Sequence, residues 1–262
     1  MLSRYLQFFV LFLCMNVSSV TVASPPSLKV VIPEDFPPFY YHDLDGSFQG
    51  VSYEVAVLVS EKLGYQLDIT QLPNMRQLLL ALESGQQDLS INLTETAERS
   101  KLAYFTQTPH VYESQHLIVR GDSNIEYNGD LKSLTNYSFG PIFGWTYGKQ
   151  FDSATYLTKD YLNDSKQQLK GLLSGRYDIA VNNPQYFQET ISSLGINPVF
   201  KVLSPALINL PVTMAISKKH PDAEKVINAF EQEIARFIQT PDYLAILQKY
   251  GFTNTLNVEA AQ

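Results

Sequence analysis

The chain has 262 residues, a formal charge of −7, 45% hydrophobic and 17% charged side chains, and one cysteine. An acidic balance of this size favours solubility and argues against nucleic acid as a partner. The length suffices for one large domain or for two lobes with separate cores.

Residues 1–23 read as a signal peptide: Arg4 gives a positive start, Phe8 to Leu13 an apolar core too short to span a bilayer, and Thr21-Val22-Ala23 a small-residue cleavage site. Leu13 is too bulky to precede a lipidated Cys14, and Asn16, Ser18 and Ser19 interrupt any membrane anchor. Cleavage after Ala23 removes Arg4, the segment's only charged residue, and moves the formal charge to −8. It also removes the only cysteine, which excludes disulfides, thiolate metal sites and cysteine nucleophiles from the mature chain. The expected location is the periplasm.

Residues 28–32, LKVVI, make a first strand, and the prolines of EDFPPFYYHDLDGSFQG impose a loop. VSYEVAVLVSEKLG is an amphipathic helix with Val55, Leu58, Val59 and Leu63 on one stripe and Gly64 as its stop. A strand over about 65–70 and a helix over about 75–84 complete a βαβαβ progression, which implies a mainly parallel sheet.

The next stretch, SGQQDLSIN at 84–92, is echoed by SGRYDIAVNN at 174–183. Each copy follows a Leu-rich helical run, so Gly85 and Gly175 fall where a helix takes a left-handed stop, and Asp88 and Asp178 open short apolar strands ended by Asn92 and Asn182. Either the chain holds two similar α/β lobes that share a cleft at their strand ends, or two common helix-to-strand joints coincide.

TAERSKLAYF follows, with Thr96 placed to cap a helix and Arg99 in its first turn. A cation there opposes the helix dipole, whereas a helix start and a guanidinium fork together suit a carboxylate or phosphate. The competing reading is a surface pair with Glu95 or Glu98. HLIVRGDSN, 116–124, is a strand leaving the first lobe. A second α/β unit comes next: strand YSFGP, loop IFGWTYG, a helix from Gly148, a strand near 156–158, and the helix leading into the second copy of the joint. After loops around Pro198 and Pro205, PVTMAISKK returns to the first lobe, and a helix over 223–238 buries Val226, Ile227, Phe230, Ile234 and Phe237. His42, His110, His116 and His220 form no i, i+4 pair, so neither a metal nor a cofactor is expected.

Four stretches carry a family likeness: FPPFYYHDLDGSFQGVSYEVAVLVSEKLG, LLLALESGQQDLSINLTETAERSKLAYFTQTP, FGPIFGWTYG and LLSGRYDIAVNNP. Together they resemble the bacterial extracellular solute-binding proteins of family 3, relatives of the amino-acid receptors. The resemblance covers nearly the whole mature chain. It implies a two-lobed, type II periplasmic-binding α/β fold joined by two hinge segments. The expected division is 24–112 for the first part of lobe 1, 113–211 for lobe 2 and 212–262 for the return to lobe 1.

By the same resemblance, Arg99 grips a ligand carboxylate, Thr94 assists, Asn92 lines the site, and Thr146 offers a second carboxylate contact from the other lobe. Phe36 matches an aromatic wall, and Phe39 matches either wall or packing. Three positions depart from the pattern. Asn183 stands where an aspartate commonly holds the ligand ammonium, Trp145 replaces a small hydroxyl residue, and Met75 replaces a frequent Trp, with Arg76 beside it as a second anion contact or a solvated residue. The ligand then either lacks an ammonium or meets Glu34, Asp35 or another carboxylate.

The function implied is capture of a small carboxylate-bearing solute, an amino acid or analogue, by a monomer that delivers it to an ABC permease. Two alternatives stand beside it: a ligand sensor signalling to a membrane partner, and an enzyme similar to the periplasmic cyclohexadienyl dehydratases, which would need a general acid in the cleft.

Overall fold

The structure, a computed structural model, describes residues 25–252; the expected signal peptide lies outside the described residues. The elements run β1 (Ser27–Ile32), the short β2 (Tyr41–His42) and β3 (Phe48–Gln49), α1 (Val51–Lys62), β4 (Gln66–Gln71), α2 (Met75–Ser84), β5 (Leu89–Leu93), β6 (Ala103–Phe105) and β7 (Val111–Arg120). They continue with β8 (Ser138–Gly140), α3 (Lys149–Asp152), β9 (Thr158–Lys159), α4 (Ser165–Leu173), β10 (Ile179–Asn182), α5 (Pro184–Ser193), β11 (Phe200–Val202), β12 (Ile208–Ser217), α6 (Ala223–Phe237) and α7 (Pro241–Lys249).

Ten strands form one continuous sheet whose two halves, called here the first and second sheets, each have their own cores; β2 and β3 pair separately. In the first lobe the strand order is β4-β1-β5-β12 with β6 on β12; β1 pairs in parallel with β4 and β5, and β12 runs antiparallel. All five residues of β5 are buried because helices cover both faces of this sheet: α1, α6 and α7 contribute to one apolar cluster, α2 to another. In the second lobe β9-β8-β10 are parallel and β7 adds an antiparallel edge, itself flanked by β11. The expected parallel character therefore holds for the strands joined through helices, and the crossing strands are antiparallel.

Those crossing strands are longer than the sequence pattern indicated. Val111–Gln115 of β7 pair with Ile208–Val212 of β12, after which β7 continues into the second sheet and the far half of β12 into the first. This two-stranded ribbon is the hinge. The expected divisions at 112/113 and 211/212 fall inside it.

The echoed joints are structurally equivalent. Gly85 and Gly175 both adopt left-handed backbone, at φ 73° and 71°. Asp88 Oδ2 accepts from the Lys29 N–H at 2.9 Å while its own N–H donates to the Lys29 carbonyl at 2.8 Å. Asp178 repeats this on Ser138, at 2.8 and 3.0 Å. Each aspartate thus ties the start of its strand to the start of the parallel neighbour, and coincidence is the poorer account of the echo.

One expectation needs correction, and one element is new. The helix expected from Thr96 is one 3-10 turn, Arg99–Lys101, although Thr96 Oγ1 does accept from the Arg99 N–H at 3.2 Å. The stretch after Asn183, to which the sequence pattern assigned no element, is α5, with Asn183 as its cap and Pro184 in the first turn.

Candidate functional site

A cavity lies where the hinge ribbon meets both lobes. The first lobe contributes Phe36, Tyr40, Met75, Asn92, Leu93, Thr94 and Arg99, the second Trp145 and Thr146, and the hinge Glu113 and Leu210, which face each other across the ribbon. Its volume is about 30 Å³, room for one or two waters and far below that of an amino acid. The lobes are therefore closed on one another.

Arg99 ties the lobes across the cleft. It is buried, 6% exposed, and its Nη1 donates to the Thr94 carbonyl at 2.7 Å while Nη2 donates across the cleft to the Gly144 carbonyl at 2.8 Å. The competing surface pair with Glu95 or Glu98 does not form: Arg99 is buried and its two Nη groups donate to backbone carbonyls. Burial pulls the Arg99 pKa down to about 10, and Asp152 and Glu113 resist that shift, so the guanidinium stays charged at neutral pH. A buried guanidinium fork held on backbone carbonyls is a ready donor set for a carboxylate, which offers two stronger acceptors.

Phe36 and Trp145 form the aromatic wall. Trp145 packs edge-on against Phe36 at 5.1 Å and stacks on Tyr186 at 5.8 Å, and it touches apolar clusters of both lobes. Phe39 is fully buried against Phe36 and packs. Two threonine hydroxyls are already engaged: Thr94 Oγ1 donates to the Pro211 carbonyl at 2.9 Å, and Thr146 Oγ1 to Asp152. Asn92 accepts from Ser52 at 2.6 Å, and Ser52 in turn contacts His110 Nε2 at 2.8 Å. Met75 joins the lining, whereas Arg76 lies over the Phe143 ring in a separate surface depression.

Asn183 is the expected site residue that the fold does not bring to the cavity. Its Oδ1 accepts from the Tyr186 N–H at 3.0 Å and its Nδ2 donates to the Ser114 carbonyl at 3.2 Å, so helix capping and a tie to the hinge occupy both ends of the amide. Glu34 and Asp35 are also absent from the lining. Glu34 is hydrogen-bonded by Tyr186 and by the Ser165 N–H in the opposite lobe, and Asp35 contacts His42 at 2.9 Å and Gln71 at 3.0 Å.

The carboxylate that does line the cavity is Glu113, which the sequence reading missed. It is 6% exposed, and burial pushes its pKa up to about 8 against the opposing pull of Arg99. The signal was an alternation: Val111, Glu113, Gln115, Leu117 and Val119 share the buried face of β7, so an acid stands in register with apolar neighbours. The strand expected over 116–124 excludes it, whereas β7 begins at Val111. Tyr186 was missed because the sequence pattern assigned no element to its helix, Pro184–Ser193.

His110 is fully buried and its pKa falls to about 3 through burial alone. Ser52 donates to Asn92, so His110 Nε2 carries the proton, and Nδ1 is left without a partner. A depressed folded pKa means that stability is full above the unfolded value near 6.5 and is lost as pH falls towards 3. Wild type is therefore expected to lose a few kcal/mol more than His110→Gln between pH 7 and pH 4, read from urea unfolding at each pH. Parallel pH curves for the two proteins would contradict it.

Two separate α/β lobes, two crossing strands and a cleft with a buried guanidinium define a two-lobed binding protein of the type II periplasmic class. Residues 28–254 match the model of the bacterial extracellular solute-binding proteins, family 3, and the chain belongs to that family. It is similar to the probable ABC transporter extracellular-binding protein YckB of Bacillus subtilis, 24% identical over 184 residues, 68% of this chain and 62% of the relative. It also resembles the membrane-bound lytic murein transglycosylase F 1 of Alkalilimnicola ehrlichii, 24% identical over 165 residues, 56% of this chain and 32% of the relative. The chain thus spans less than two thirds of either relative's length.

Among solved structures, an ancestral arginine-binding protein bound to arginine superposes with a TM-score of 0.71 at 21% identity, covering 87% of this chain and 99% of that one. A histidine kinase sensor domain with similarity to periplasmic binding proteins does so with a TM-score of 0.73 at 18% identity, covering 87% and 96%. At these identities the likeness establishes the fold. Among the described residues no helix is long and apolar enough to cross a membrane.

Proposed function

We propose that this protein captures a small carboxylate-bearing solute, an amino acid or close analogue, between its lobes and delivers it to an ABC-type permease from the periplasm. Arg99 carries the proposal: it is the one buried lysine or arginine among the described residues, it lines the cleft, and it ties the lobes through backbone carbonyls that a carboxylate can displace. Asn92, Thr94 and Thr146 supply further polar contacts, and Phe36 and Trp145 the apolar wall. Opening about the hinge admits the solute, and closure removes it from water, so each contact strengthens as the lobes meet.

The test is a thermal-shift screen of protein unfolded and refolded to strip carried-over solute. The panel holds amino acids, their deaminated analogues, dicarboxylates and prephenate. A ligand at about a hundred times its Kd adds roughly 2.7 kcal/mol, a clear rise in Tm. Stabilisation by one chemical class is expected, and silence from every carboxylate would refute the proposal.

The likeness to a histidine kinase sensor domain favours a second reading, in which the same site serves a sensor. Recovery of a membrane kinase, rather than a permease, on the liganded protein would select it. Glu113, protonated near neutral pH, is the group a dehydratase would use as its acid. Incubation with prephenate is expected to give no product.

A further inference from the structure

The cavity holds one buried basic side chain and one buried acidic one. Arg99 stands on the first lobe, and Glu113 at the middle of the hinge ribbon, opposite Leu210. One carboxylate oxygen of Glu113 accepts from the Gln115 amide, and the Gln115 carbonyl oxygen beside it is buried without a hydrogen-bond partner. Two acceptors therefore sit together at the hinge on a strand face where Gln115 is the one polar neighbour of Glu113, and an ionised acid buried there is costly unless a cationic donor meets it. Asn183 is held by its own helix and by Ser114.

We propose that Glu113 receives the cationic end of the solute, so that Arg99 and Glu113 together select a zwitterion and the hinge replaces the second lobe as the ammonium subsite. The inference rests on the reading of Arg99 as the carboxylate grip and adds the substrate class. A ligand ammonium seated on Glu113 requires the ionised carboxylate. The titratable groups around it are Arg99, whose charge favours ionisation, and the Tyr40 and Tyr147 phenols, which burial keeps neutral. With its pKa raised to about 8 in the free protein, Glu113 gives up a proton when the cation binds at pH 7.

The experiment is calorimetric titration of refolded wild type, Glu113→Gln, Asn183→Asp and Arg99→Ala with matched pairs. These are L-leucine and 4-methylpentanoate, L-phenylalanine and 3-phenylpropionate, and L-arginine and 5-guanidinopentanoate. Wild type is expected to bind at least one amino acid some tenfold to a hundredfold more tightly than its deaminated twin, the range of a charge-assisted contact. Glu113→Gln loses that preference through weaker binding of the amino acid, and far-UV circular dichroism checks that it folds. Asn183→Asp keeps the wild-type preference. Repeating the titration in buffers of different ionisation enthalpy reads close to one proton released by wild type and none by Glu113→Gln.

An unchanged preference in Glu113→Gln, or equal binding of both twins by wild type, overturns the inference and leaves the Arg99 reading standing. Binding that survives intact in Arg99→Ala, or failure of every pair, defeats the Arg99 reading and this inference with it.

Discussion

Arg99→Ala is expected to abolish measurable solute binding, a loss of at least about a hundredfold in affinity, while the protein still folds. The fork supplies two parallel donors, and truncation leaves a carboxylate in a cavity with no other lysine or arginine in its lining. The closed form also loses its bond to Gly144, so the lobes of the variant should part more readily. Arg99→Lys keeps the charge without the fork and should fall between the two. Titration calorimetry gives the affinities and far-UV circular dichroism the fold; normal affinity in the alanine variant would remove Arg99 from the site.

Gly50→Ala is expected to be the most damaging conservative change near the cleft. Gly50 adopts φ 126°, ψ 157°, a region that side chains avoid, and a Cβ there would stand 2.4 Å from the Phe39 carbonyl oxygen and 2.6 Å from the Tyr40 nitrogen. Both are backbone atoms that cannot rotate away. The crowding serves a purpose. α1 has no side-chain cap, and the Pro38 and Phe39 carbonyls accept from Val51 and Ser52, both at 2.9 Å, so the loop bearing Phe36 is the cap of α1. Pushing it off should cost more than about 3 kcal/mol and lower the Tm by roughly 10 °C. Solute affinity should fall as well, because Phe36 moves with the loop. Urea unfolding gives the first effect, and a loss below about 1 kcal/mol would contradict this account.

How much of this was legible in the sequence differs between fold and site. Local signals that agree with tertiary packing read through: the Leu-rich helices, the left-handed glycines, and the aspartates that open β5 and β10. Their repeated hydrogen bonding shows that the echo reflects two equivalent joints. Lengths failed where tertiary pairing extends an element. The hinge ribbon exists because β7 and β12 find each other across about a hundred residues, and no local pattern announces that partner. The converse happened at Thr96, where the capping signal was real and the helix stopped after one turn because β6 begins at Ala103. The cation of the site was legible because Arg99 sits in a family motif. Its acidic partner was not, because the continuous apolar run of the hinge strand begins at Leu117 and Glu113 stands before it, in the alternating part of β7.

The central claim is that a carboxylate takes the place of the Gly144 carbonyl on Arg99. A crystal structure of the refolded protein with the best-binding solute tests it most directly. The account predicts the solute carboxylate within hydrogen-bond distance of the Arg99 guanidinium, with Phe36 and Trp145 against its apolar part. A solute bound elsewhere, with Arg99 still donating to Gly144, would contradict it.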